Sequence, residues 1–147
     1  MSEALKLDNQ ICFALHAASR AMTAAYQPLL HALDVTYPQY LVLLTLWEGD
    51  GARVSRIGER LHLDSATLTP LLKRLAAAGI VERRRSEADE RVVEIFLTAA
   101  GRRLRKKALT VPSAILCKTD VSVTELGRLR DALKTLTKKL QSAAPTR

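Results

Sequence analysis

The stretch VSRIGERLHLDSATLTPLLKRLAAAG, Val54 to Gly79, decides the fold. It reads as a short helix over Val54–Leu61, a turn at His62-Leu63, Asp64 capping a longer helix from Ser65 to about Ala78, and Gly79 as the stop. Two helices separated by three or four residues make a helix-turn-helix. Leu68, Leu71, Leu72 and Leu75 share one side of the second helix, the side that must face a core. The other side presents Ser65, Thr67, Thr69, Lys73 and Arg74, groups of the kind that meet base edges and phosphates.

Downstream, Ile80-Val81-Glu82-Arg83-Arg84-Arg85, a polar turn at Ser86–Glu90, and Arg91-Val92-Val93-Glu94-Ile95-Phe96-Leu97 read as a β-hairpin. A hairpin directly after a helix-turn-helix is a wing. Thr98 then caps a helix from Ala99 past Lys106-Lys107 towards Pro112, which is expected to end or bend it. Ser122-Val123-Thr124-Glu125 is a capping box, followed by Leu126, Leu129, Leu133, Leu136 and Leu140. Their steps of 3, 4, 3 and 4 form an a/d seam, which packs against another helix, either of a second chain or of its own. Ser142–Arg147 reads as a disordered tail.

Upstream, apolar residues recur at helical spacing from Asp8 to about Leu33, with Asp8 or Asn9 available as the cap and Pro28 expected to kink or end the helix. Thr36-Tyr37-Pro38-Gln39 opens a second helix as a capping box with proline in the first turn, and Gly49 and Gly51 stop it. That helix is apolar almost all round and so should be a buried central element. The expected class is mainly α with a small β-hairpin wing (α+β). The winged helix-turn-helix spans about 36–97 of a single 147-residue domain, between dimerisation helices at about 8–33 and 98–141.

The charge fits this layout. Residues 1–48 hold 2 basic and 4 acidic side chains, residues 49–107 hold 14 and 8, and residues 108–147 hold 7 and 3, so the excess of the +8 total begins after Glu48. A basic segment behind a nearly neutral start suggests a polyanion partner, with double-stranded DNA the commonest; a solubilising surface is the alternative. Two cysteines are too few for a disulfide-built secreted scaffold. No apolar run is long enough to span a bilayer, and Met1-Ser2-Glu3 lacks the start of a signal peptide. The expectation is a cytoplasmic protein with reduced thiols, no membrane partner, no catalytic constellation and no cofactor. A peripheral membrane protein would carry one long cationic amphipathic helix, whereas these charges are spread over helices and hairpin.

Helix, helix, helix-turn-helix, a basic wing with Asp89-Glu90-Arg91 and a leucine-rich closing helix together resemble the MarR family of dimeric winged-helix regulators. More narrowly, Asn9-Gln10-Ile11-Cys12-Phe13, the run from Leu33 to Leu41 and the run from Leu63 to Arg74 resemble the organic hydroperoxide resistance regulators, a thiol-sensing branch. The resemblance implies a homodimeric repressor that leaves a pseudopalindromic operator when organic hydroperoxide oxidises Cys12. It implies Tyr26 and Tyr37 as hydroxyl donors to the Cys12 sulfur, and a dipole at the helix start would further favour thiolate. Tyr26 lies fourteen residues after Cys12, about 21 Å along one helix, so it reaches the sulfur only across two antiparallel first helices.

His16 stands one turn after Cys12 where relatives often carry tyrosine. It is either a partner of the thiol or an ordinary histidine; as a metal pair with Cys12 it supplies two ligands where zinc uses four. Cys117 falls where two-cysteine members keep a resolving thiol, which implies an intersubunit Cys12–Cys117 disulfide; a merely buried Cys117 and a mixed disulfide with a small thiol are the alternatives. For DNA, Ser65, Thr67 and Thr69 are the base-reading candidates, and Lys73, Arg74, Arg83, Arg84 and Arg85 the phosphate contacts. Arg91 is the minor-groove finger, oriented by Asp89 as the family implies; solvated surface charge is the alternative for each arginine. Two rival readings are a MarR-type repressor answering a small aromatic ligand, and a thiol peroxidase.

Overall fold

The computed structural model describes residues 2–143, and the chain divides between Val111 and Pro112 into two compact units. In the first unit, α1 (Ile11–His31) is followed by α2 (Tyr37–Glu48), β1 (Ala52–Arg53), α3 (Val54–Leu61), α4 (Ser65–Ala77), β2 (Val81–Arg85), β3 (Val93–Leu97) and α5 (Ala99–Ala108). Then come α6 (Val111–Thr119), which starts at the division, and α7 (Val123–Ala143) in the second unit.

The core of the first unit gathers round α2. Tyr40, Val42, Leu43 and Leu46 are buried there, α3 adds Ile57, α4 adds Leu68, Leu71, Leu72 and Leu75, and the sheet adds Val81, Ile95 and Leu97. Both halves of the α2 capping box form: Gln39 N–H donates to Thr36 Oγ1, and Thr36 N–H donates to Gln39 Oε1 at 2.9 Å. The Trp47 indole N–H reaches the Gly101 carbonyl at 3.0 Å and so ties α2 to α5. Between α3 and α4 the chain turns through His62 in the left-handed region, and Asp64 accepts the Thr67 N–H at 2.8 Å. Gly58 allows this turn to close, since a Cβ there would lie 2.8 Å from the Leu63 carbonyl oxygen. Gly79, at φ +73°, ends the recognition helix α4 where expected.

Three features differ from the sequence expectation, while α1 runs past Pro28 to His31, near its expected end. Helix α1 starts at Ile11 behind two short 3-10 turns, and neither Asp8 nor Asn9 caps it; the Asn9 amide donates instead to the Glu3 carbonyl at 2.8 Å. The wing is a three-stranded sheet in the order β1-β3-β2, because Ala52 and Arg53 pair with Ile95 and Glu94 and add an edge strand too short for periodicity to announce. Helix α5 stops at Ala108, before Pro112, which sits in the first turn of α6, where its missing N–H costs no helical bond.

In the second unit, Ser122 and Glu125 form the expected capping box of α7. Yet α7 has no buried residue: Leu129 is 55% and Leu140 62% exposed. Ser142 and Ala143 belong to α7, and the rest of the expected tail lies outside the described residues.

Candidate nucleic-acid interface and thiol site

The groups expected to face DNA sit where α4 meets the wing. Ser65 and Thr67 are exposed in the first turn of α4, Thr69 is half-buried, and Lys73 and Arg74 are exposed towards its end. Strand β2 alternates: Val81 turns inward with Arg83 and Arg85 on its face, while Glu82 and Arg84 point the other way. A cleft of about 300 Å³ between α4 and the sheet is lined by Ser65 and Thr69 from α4 and by Arg53, Ser55, Arg83 and Arg91, among others. Arg84 takes no part in it. Its guanidinium pairs with Glu82 at 2.6 Å and lies 4.5 Å from the Phe96 ring centroid, on the opposite face.

At the wing tip, Arg91 is forked onto Asp89, with Nε to Oδ1 and an Nη to Oδ2, each at 3.1 Å. The side chain is 90% exposed, so the carboxylate sets its direction while the guanidinium stays open to a partner. Hydrogen bonds from the Arg91 side chain and backbone, aided by the charge of Arg53, hold the Asp89 carboxyl below the usual range.

The thiol residues lie apart from this surface. Cys12 is exposed in the first turn of α1, nearer the positive end of the helix dipole than a start at Asp8 would put it. His16 is exposed one turn on. Tyr26 and Tyr37 come together at the other end of the helix, ring centroids 5.0 Å apart, and Tyr40, a residue that sequence reasoning passed over, stacks on Tyr26 at 5.9 Å. Burial raises all three hydroxyls above the ordinary phenol range, and for Tyr26 the neighbouring Tyr37 adds to it, so they stay protonated donors at neutral pH. Fourteen residues of unbroken helix separate Cys12 from Tyr26, which is about 21 Å. The chain thus brings the two tyrosines to each other but not to its own Cys12. Cys117 is exposed on α6, and neither cysteine is in a disulfide. Among the described residues, no three His, Cys, Asp or Glu side chains gather in a metal-holding group, and no helix is long and apolar enough to cross a membrane.

This winged helix-turn-helix matches known proteins over nearly its whole length. The family model for the transcriptional regulators SarA/Rot matches residues 24–108. The organic hydroperoxide resistance transcriptional regulator of Bacillus subtilis is 51% identical over 136 residues, 92% of each chain. The chain belongs to the organic hydroperoxide resistance branch of the MarR-type winged-helix transcriptional regulators. Among solved structures, this regulator is 37% identical to reduced AbfR bound to DNA, with a TM-score of 0.76 over 95% of this chain and 98% of that one. The disulfide form of AbfR, at 38% identity over 92% and 95% of the two chains, superposes with a TM-score of 0.64.

Arg53 was absent from the sequence-based candidates. Its charge was visible, but its place beside Arg83 and Arg91 depends on the pairing of β1 with β3, which two residues of strand cannot signal. Arg84 illustrates the converse: three consecutive arginines look alike in sequence, and the two-residue repeat of the strand sends the middle one to the other face.

Proposed function

We propose that this regulator is a homodimeric cytoplasmic repressor that binds a pseudopalindromic operator and releases it when organic hydroperoxide oxidises Cys12. The observation that carries the reading is the position of Tyr26 and Tyr37, in ring contact at the far end of the helix that starts with exposed Cys12. Two α1 helices laid antiparallel would place each Cys12 against the tyrosine pair of the partner. There the protonated hydroxyls would donate to the thiolate and stabilise its charge. The thiolate attacks the terminal peroxide oxygen, the O–O bond breaks, an alcohol leaves with a proton, and Cys12 becomes sulfenic acid. Cys117 of the partner subunit would then displace water to form the disulfide, a role that its exposure on α6 suits. The apolar seam of α7, unburied in its own chain, supplies a second dimer surface.

On DNA, α4 of each subunit would enter a major groove, with the two centres about 34–36 Å apart. Ser65, Thr67 and Thr69 would read bases, Lys73, Arg74, Arg83 and Arg85 would meet phosphates, and Arg91, held by Asp89, would enter the minor groove. AbfR, 37–38% identical to this chain, is known both as a reduced form bound to DNA and as a disulfide form, which supports a thiol-linked switch. A crosslink between subunits would shift the two heads out of that spacing.

A second reading, a repressor answering a small aromatic molecule, is favoured by a cleft of about 800 Å³ lined by Thr23, Gln27, Leu30, His31, Val35 and Tyr37, among others. One substitution separates the two. In a DNA-binding assay with organic hydroperoxide, the Cys12→Ser protein should stay bound while the parent dissociates; release of the variant would exclude the thiol switch. On non-reducing gels, a dimer-mass band requiring both Cys12 and Cys117 marks the two-cysteine route, whereas a mass increase on the monomer from an added small thiol marks the one-cysteine route.

A further inference from the structure

Four of the twelve arginines of the first unit have a carboxylate partner. Arg56 pairs with Glu59, Arg60 with Glu48, Arg84 with Glu82 and Arg91 with Asp89. Arg53 and Arg83 line the cleft between α4 and the wing, and among the described residues neither is in an ion pair. Arg53 stands opposite Glu94 in the β1–β3 register, yet the two form no such pair. Its backbone is the N-cap of α3, and a guanidinium, which carries donors only, takes no part in capping that helix end. The cleft lining therefore holds three guanidinium groups, three hydroxyls from Ser55, Ser65 and Thr69, and no carboxylate. Asp89, at the wing tip beside Arg91, has both oxygens bonded to Arg91.

Arg53 and Arg83, each without an ion pair of its own, repel one another, and a bound anion offsets that repulsion while accepting hydrogen bonds from guanidinium and hydroxyl donors. The cleft opens beside the first turn of α4, the end of the recognition helix that meets the groove, so a backbone phosphate of the duplex is the anion delivered there. We propose that Arg53 and Arg83 jointly seat one DNA backbone phosphate in this cleft, making Arg53 a DNA-contacting residue. The inference rests on the DNA-binding reading above. It gives β1 a role as the strand that carries one arm of the seat, while Arg91 stays paired with Asp89 at the wing tip.

Phosphate contacts are independent of sequence, so a labelled random-sequence duplex is a sufficient probe, with binding followed by anisotropy between about 50 and 200 mM salt. Arg53→Gln and Arg83→Gln should each weaken binding about tenfold at low salt. Because both arms hold the same phosphate, the double variant should lower the salt slope by about 0.9, the value of one phosphate and not of two. Arg53→Lys should recover part of the loss, and Lys138→Gln, which removes one charge from α7, should leave binding near the parent's. Thermal melts of each variant separate lost contact from lost fold. Affinity and slope of Arg53→Gln equal to those of Lys138→Gln would overturn the seat while leaving DNA binding intact, and a slope lowered by two contacts would overturn the sharing. A parent protein that fails to bind duplex at all would overturn both this inference and the reading beneath it.

Discussion

Helices α4 and α7 carry the same kind of leucine stripe and meet opposite fates. In α4, Leu68, Leu72 and Leu75 are each 1% exposed, because α2, α3 and β2 close over them. In α7, Leu126 and Leu136 are half-buried, Leu129, Leu133 and Leu140 are exposed, and no residue of the helix is buried. Apolar area left in water forgoes roughly 25 cal/mol per Å² that burial would return, and under the dimer reading the exposed Leu129, Leu133 and Leu140 are the part of the seam that a second chain would cover. The same leucine spacing thus ends in a filled core in one helix and in an exposed stripe in the other.

Substitutions can break that contrast at either end. The largest effect is expected in α4: Leu72→Ala should lower unfolding stability by about 2–5 kcal/mol, the cost of a cavity in a filled core, read by denaturant melts. It should do so at every protein concentration. Next comes α7, where replacing Leu129 and Leu133 together by Glu should leave the first unit folded by circular dichroism. The same pair should raise the dimer dissociation constant by at least about a hundredfold in sedimentation, since two leucines lost from an interface at about 1.5–3 kcal/mol each amount to about 3–6 kcal/mol before the charges are counted. A stability loss that does not depend on concentration would show instead that the α7 seam packs within its own chain.

The smallest effect sharpens the comparison at the start of α4. The Thr67 backbone hydrogen bond, then its side chain, holds the Asp64 carboxyl below its ordinary value, so the ionised form is the one the fold prefers. A carboxyl lowered on folding contributes stability that is complete above its unfolded pKa and disappears as pH falls through the folded one. Acidification below about pH 4 should therefore loosen the helix-turn-helix. Asp64→Asn keeps a capping oxygen, and its stability should match the parent's at neutral pH while showing less acid dependence. Equal acid sensitivity in both would place the titrating group elsewhere.

Much of this layout is legible from local rules. The capping boxes at Thr36 and Ser122, the cap at Asp64 and the stop at Gly79 are short-range devices in which a side chain satisfies a backbone group three residues away or a glycine takes a positive φ. Spacing shows in the same way that Cys12 and Tyr26 of one chain stand about 21 Å apart. The misread boundaries depend on competition between alternatives. Asn9 lies in the 3-10 turn Leu7–Asn9, where its amide N–H is tied to the Glu3 carbonyl, one residue short of the position that caps α1, and Pro28 lies in a helix whose Leu30 is buried, so packing outweighs one lost hydrogen bond.

By itself, then, the sequence determined a basic helix-turn-helix with a wing, its caps, and a helix long enough to keep its cysteine away from its tyrosine, because periodicity, capping and helical rise act within a few turns. Only the tertiary structure decided that Tyr26, Tyr37 and Tyr40 stack, that Arg84 turns away while Arg53 joins Arg83 and Arg91, and that the leucines of α4 are covered and those of α7 are not. Those outcomes depend on strand register and on which element lies over which, and residues far apart in the chain settle both together.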